Sequence, residues 1–257
     1  MANGKGLALV TGASKRIGRA LTLALAEDGF DVAIHFDQSK SDAEHTAQQA
    51  RELGVNSKTF QADLLSREEV ASLIPNVCDQ FEKTLNVLIN NASIFEYDNV
   101  TTATTESWDR HIKSNLEAPV FLTQAFANQF DANLHENTGV VINMVDQRVR
   151  KLTPEFLTYS LAKSGLWAFT QTAAQALAPN IRVNGIAPGP TVRGARQSME
   201  HFEKQRSATL LGKGSSPSGI VEAMRFILAA QEFTGQLLCV DGGQHLAWKT
   251  PDIIGEK

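Results

Sequence analysis

The sequence predicts a single α/β domain, a doubly wound parallel sheet of about seven strands flanked by helices. Three observations predict it. Short apolar runs alternate with longer helical patterns along the whole chain. The first run leads into a strand-to-helix turn, Thr11-Gly12-Ala13-Ser14-Lys15-Arg16-Ile17-Gly18. The 257 residues, 42% hydrophobic and 20% charged, suit one substantial core, so residues 1–257 read as one domain.

The elements follow in order. Residues 7–10, 32–34, 87–89, 140–142 and 237–240 are short apolar runs of the kind that strands buried on both faces require. Weaker runs at 58–60 and 181–183 supply two more strands. Between them, residues 19–27, 41–53, 67–81, 108–130, 156–177 and 220–230 carry helical patterns. The irregular stretch is 188–218, rich in Gly, Pro and cations. It reads either as a flap over a pocket or as a surface excursion containing one helix.

Composition narrows the function. A formal net charge of -4 argues against nonspecific affinity for nucleic acid or anionic membranes. With no basic-then-apolar leader and no apolar stretch long enough for a bilayer, the expected compartment is the cytosol. Cys78 and Cys239 are the only cysteines, far apart and without metal-ligand spacing. They read as two reduced, packed thiols, with a single disulfide left open and no metal expected.

The first turn points to a dinucleotide. Gly12 and Gly18 permit tight backbone geometry, and the helix opening near Ile17 aims its N-terminus at a pyrophosphate. A G-x-G-x-x-G pattern fails here, because Arg16 stands where many such loops have a middle glycine. Lys15 and Arg16 place two cations where a 2′-phosphate would lie, which favours NADPH. Asp37, just past the second strand, speaks for a free 2′-hydroxyl instead, while Gln38, Ser39 and Lys40 beside it suit a phosphate pocket.

The chemistry rests on Tyr159-Ser160-Leu161-Ala162-Lys163. Four residues apart on a helix, Tyr159 and Lys163 share a face, so an ammonium near the phenol is expected to lower its pKa toward neutrality. The same five residues contain S-x-x-K, but the partner motifs of serine acylases are absent.

Taken together, Thr11-Gly12, Asp63, Asn90-Asn91-Ala92, Asn115, the Tyr159/Lys163 pair, Pro188-Gly189 and Asp241-Gly242-Gly243 resemble the short-chain dehydrogenase/reductase family over nearly the whole chain. The resemblance implies a Rossmann-type fold and hydride transfer. It makes Tyr159 the proton donor and Lys163 its pKa-lowering partner and ribose ligand, with Asn115 holding a water in the proton relay. Thr11, Gly12, Ser14, Lys15, Arg16, Ile17 and Gly18 would cradle the cofactor phosphates, with Gln38 and Ser39 nearby. Asp63 and Leu64 would contact the adenine; Asn91, Ala92 and Ser93 would line the ribose and phosphate path; Pro188, Gly189 and Thr191 would border the nicotinamide. A homotetramer is also implied, with helices 108–130 and 156–177 at interfaces and the tail after Asp241 near a neighbour's site.

One departure is informative. Thirteen residues before the tyrosine most family members carry a serine; here the residue is Asp146. An ionised carboxylate would repel a developing alkoxide and suits a substrate with N–H donors or a basic nitrogen. With Arg16, Ser93, Phe95 and Asn143-Met144-Val145-Asp146, the chain resembles pteridine and dihydromonapterin reductases. That likeness implies Phe95 stacking on a pterin and Ser93 and Arg16 reaching substrate or phosphates. A core aromatic is the alternative reading of Phe95. The expected activity is NADPH-dependent reduction of an oxidised pterin or related heterocycle. The alternatives are a carbonyl or 3-oxoacyl-thioester reductase and a non-catalytic NADP sensor.

Overall fold

The computed structural model describes residues 5–130, 139–193 and 198–248. Residues 194–197 of the expected flap and the tail past residue 248 lie outside the described residues. The strands are β1 Leu7–Val10, β2 Asp31–Phe36, β3 Ser57–Gln61, β4 Leu85–Asn90, β5 Gly139–Met144, β6 Ile181–Pro188 and β7 Leu237–Val240. All seven pair in parallel in the order β3-β2-β1-β4-β5-β6-β7. The helices are α1 Arg16–Glu27, α2 Lys40–Glu52, α3 Arg67–Phe81, α4 Thr105–Ile112, α5 Ala118–Ala127, α6 Leu157–Leu177, α7 Met199–Ser207 and α8 Pro217–Ala229.

Strand period divides the core in two. Ala8 and Val10 face a cluster that holds Leu21 of α1, Ala47 of α2 and Met224 of α8. Leu7 and Leu9 face the opposite cluster, with Val70 of α3, Leu122 of α5 and Ala173 of α6. All four β1 side chains are therefore fully buried, which is why the strand is uninterruptedly apolar in sequence.

Strand order reverses between β1 and β4, leaving a crevice at the carboxyl ends of these strands. Thr11, Asn91, Asp146 and Gly189 all lie just past strand ends that border it. The sheet thus gathers residues far apart in sequence.

The continuous helix expected over 108–130 is corrected. It begins at Thr105, behind a capping box of Thr104 and Ser107, and is broken by a π-helical turn at Lys113–Glu117. There Ala118 donates to the Lys113 carbonyl five residues back. An unbroken α-helix would need residue 119 to donate to the Asn115 carbonyl, and Pro119 has no N–H. Among the described residues of 188–218 the chain forms α7 and enters α8 at Pro217. Cys78 and Cys239 are both free thiols. Among the described residues no helix is long and apolar enough to cross a membrane.

Candidate active site

The turn from Thr11 to Gly18 is built from inside. Thr11 Oγ1 accepts from the N–H groups of Asn91 and Ala92, at 2.9 Å each. Asn91 Nδ2 donates back to the carbonyls of Thr11 (2.8 Å) and Gly12 (3.1 Å). A Cβ at Gly18 would lie 2.2 Å from the Gly12 oxygen, so no other residue fits there. Arg16, in the place of the middle glycine, adopts φ +55, a left-handed conformation that costs a side-chain-bearing residue about 1–2 kcal/mol.

His35, which the sequence reading missed, braces this turn. Its Nδ1 accepts from Gly12 N–H at 3.0 Å, and its Nε2 donates to the Ala62 carbonyl at 3.0 Å. Burial pushes its pKa down to about 4, so the ring is neutral and keeps the tautomer both bonds need. The signal in sequence was a lone histidine directly after the second apolar run.

The N-terminus of α1 suits an anion. Lys15 at the N-cap makes no side-chain cap bond, and the first turn holds no acidic residue. Ser14 is held through its carbonyl by Thr46 Oγ1 (3.1 Å), and Ile17 packs against the core. Both loop cations have protein partners: Lys15 pairs with Asp42 at 2.8 Å, and Arg16 Nη2 donates to the Val192 carbonyl at 3.0 Å. Past β2, Gln38 and Ser39 lead into α2 beside Asp37, whose carboxyl is raised by burial and by the carboxylates of Asp63 and Glu69. Asp63 accepts from Leu65 N–H as a turn residue, and the Leu64 side chain is core.

Across the crevice, Asn115 lies in the π turn, fully buried. Its amide clamps Ile94, accepting from N–H at 2.9 Å and donating to C=O at 2.8 Å, which fixes the loop of Ser93 and Phe95. At the end of β6, Pro188 closes the strand, Gly189 N–H donates to the Val240 carbonyl, and Thr191 bonds Gly189 and Ser215.

The catalytic candidates converge. Tyr159 OH donates to Asp146 Oδ2 at 2.8 Å, and Asp146 Oδ1 accepts from Arg148 N–H at 2.8 Å. Lys163 Nζ donates to the Met144 carbonyl at 2.7 Å, 5.8 Å from the Tyr159 ring centre. Burial raises the Tyr159 phenol well above its ordinary value, and the Asp146 carboxylate adds to that rise. Burial likewise raises Asp146, against the pull of its Arg148 and Tyr159 hydrogen bonds. Lys163 falls to about 8 on burial. The expectation that Lys163 lowers the tyrosine pKa is thus corrected: buried beside a carboxylate, the phenol is held as a protonated donor.

Phe95 is not core; it is 51% exposed. Its ring stacks on Phe156 at 4.3 Å and 12°, and meets Tyr159 edge-on at 4.7 Å. Ser93 Oγ donates to the Ile94 carbonyl at 3.4 Å. Behind Tyr159 a further missed cluster joins Asp98, Ser107, His111 and Thr158, with His111 Nδ1 2.7 Å from Thr158 Oγ1.

The comparisons with known proteins agree with the fold. The family model described as short chain dehydrogenase matches residues 6–204. Two solved structures titled FolM alternative dihydrofolate reductase 1 are similar. The Brucella canis protein, complexed with NADP, is 41% identical at TM-score 0.91, covering 97% of this chain and 98% of that one. The Brucella suis protein, also complexed with NADP, is 42% identical at TM-score 0.90, covering 96% and 98%. Among curated relatives, the 3-oxoacyl-[acyl-carrier-protein] reductase FabG of Staphylococcus aureus is 32% identical over 244 residues, 93% of this chain and 98% of the relative.

Proposed function

On the premise that this chain belongs to the short chain dehydrogenase family, we propose that it is an NADPH-dependent reductase of an oxidised pterin or related flat heterocycle. The chain is an oxidoreductase of that family. The observation that carries the substrate reading is the Asp146 carboxyl hydrogen-bonded to the Tyr159 hydroxyl, where a neutral donor to a ketone would have sufficed.

A dinucleotide fits the residues present. The α1 N-terminus is uncapped and free of acid, and the close approach at Gly18 leaves the turn no room for a side chain. Thr11 to Gly18 would hold the pyrophosphate, and Lys15, Arg16, Gln38 and Ser39 the 2′-phosphate. Asp63 and Leu64 would meet the adenine, Asn91 and Ala92 the ribose path, Lys163 the nicotinamide ribose, and Pro188, Gly189 and Thr191 the nicotinamide. Bound there, the cofactor supplies hydride. The NADP complexes of the Brucella neighbours support the phosphate-bearing form.

The chain's own residues supply the proton. Tyr159 O–H is the donor to a substrate nitrogen, Asp146 orients that hydroxyl by accepting from it at 2.8 Å, and the phenolate regains its proton from solvent. Asn115 fixes the substrate loop and presents the main-chain carbonyl from which Pro119 removes the helical donor.

The FabG relative favours a second reading, reduction of a 3-oxoacyl thioester. Spectrophotometric NADPH oxidation with a dihydropterin and with acetoacetyl thioester separates the two. Asp146→Ser should cripple dihydropterin reduction and spare simple activated ketones. Full pterin activity in that variant would remove the main reason for the pterin reading. A cytosolic homotetramer belongs to the same proposal, supported by the outward-facing Trp108, Phe121 and Leu161 on α4, α5 and α6, and sedimentation of the purified chain tests the assembly.

A further inference from the structure

We propose that Phe156, backed by Arg148, makes this site selective for flat fused-ring substrates over acyclic ones, by fixing Phe95 as a platform beside Tyr159. This rests on reading the Tyr159 crevice as the substrate site of a reductase.

Phe95 sits on the irregular segment between β4 and α4, where a half-exposed ring has rotamer freedom that binding must remove. Phe156 removes it in advance. The two rings are nearly parallel, 12° apart with centres 4.3 Å apart, so one face of Phe95 is covered. The Tyr159 ring, edge-on at 4.7 Å, places this platform directly beside the proton donor.

Phe156 holds its place at a cost. It is the N-cap of α6 with φ 59 and ψ 51, a conformation in which a glycine or asparagine would sit with less strain. The position is over-determined. Phe156 N–H donates to the Asp98 carbonyl at 2.7 Å, Tyr97 packs edge-on at 5.3 Å, and the Arg148 guanidinium lies 4.8 Å over the ring. Arg148 is oriented by Thr153 Oγ1 at 2.8 Å, and its main-chain N–H donates to Asp146 Oδ1. The column Arg148–Phe156–Phe95 therefore ties the surface that supports a ring face to the carboxyl that would serve the ring's nitrogen edge. An acyclic acyl chain needs no such platform.

Phe156 is a positioning residue here, and Phe156→Leu tests it by removing the flat face. Steady-state kinetics compare a dihydropterin and phenanthrenequinone, both flat, with acetoacetyl thioester. The flat-to-acyclic ratio of kcat/KM should fall about threefold to tenfold, the loss appearing in KM for the flat compounds. Phe156→Tyr, which keeps the ring, should restore the ratio. Equal losses on both substrate kinds, no loss, or failure of the tyrosine variant to restore would overturn the proposal. If phenanthrenequinone is reduced and shows the effect while dihydropterins are not turned over, the pterin reading fails and the platform stands. If neither flat compound is reduced, both fall.

Discussion

At the residue scale the site turns on two protons. Tyr159 is hydrogen-bonded to Asp146 and held protonated, so Tyr159→Phe removes a donor and little else. Turnover should drop about 10²–10⁴-fold with cofactor binding and melting temperature preserved; a near wild-type kcat would eliminate the residue from the mechanism. Lys163, lowered to about 8 by burial, gives a second expectation. Its ammonium is present below that pH and lost above it, so kcat/KM should decline on the alkaline side from about pH 8. Stability should move the other way. The folded chain binds this proton more weakly than the unfolded chain, so the group's contribution to stability rises between about pH 8 and the ordinary lysine value. Paired pH profiles of kcat/KM and melting temperature check both trends, and a decline that persists in Lys163→Met would assign the limb elsewhere. The Tyr159/Lys163 pair was legible in sequence because helical spacing is local. Its electrostatics were not, since burial and the Asp146 contact come from a strand end thirteen residues away.

At the scale of elements, β1, β2, β4 and β5 were legible because their residues are buried almost throughout, which keeps their sequences apolar. At the sheet edge, β3 alternates buried Ser57 and Phe60 with exposed Lys58 and Gln61, which is why its apolar signal was weak. The break at Lys113–Glu117 escaped because helical periodicity carries through a π turn, while the informative residue was Pro119. That break points the Asn115 amide at Ile94. The start of α6 was read to within one residue, but the cap that holds it was hidden, because it comes from another segment. Asp98 accepts from Thr158 N–H at 3.1 Å, from the Thr158 hydroxyl and from Ser107 Oγ at 3.0 Å. Burial alone would raise this carboxyl, yet those hydrogen bonds bring it below its ordinary value. Asp98→Ala should cost about 2 kcal/mol in urea unfolding, and kcat should fall because Tyr159 is the next residue of the capped turn. Asp98→Asn, which keeps one acceptor, should recover part of both. An alanine variant with unchanged stability would show that the cap is redundant.

At the scale of the whole molecule, the reversal of strand order places the cofactor turn against a substrate region drawn from the other half of the sheet. Arg16 bridges the two. It sits in the phosphate turn at φ +55, yet its guanidinium reaches the Val192 carbonyl past β6. Cofactor choice is therefore a sum over distant groups. In the proposed reading Arg16 and Lys15 would draw a 2′-phosphate, while Asp37, whose carboxyl is raised by Asp63 and Glu69, would oppose one. A charge-assisted hydrogen bond contributes about 1.5–3 kcal/mol, so Arg16→Ala should cut the preference for NADPH over NADH about tenfold to a hundredfold. Arg16→Gly separates charge from backbone. Both variants lose the cation, but only glycine relieves the left-handed strain, so the two should share one cofactor ratio while glycine is about 1 kcal/mol the more stable. Dissociation constants for both cofactors, with urea midpoints for both variants, read the two effects independently. An unchanged ratio in both would remove Arg16 from 2′-phosphate recognition and make Asp37 the residue that sets cofactor choice.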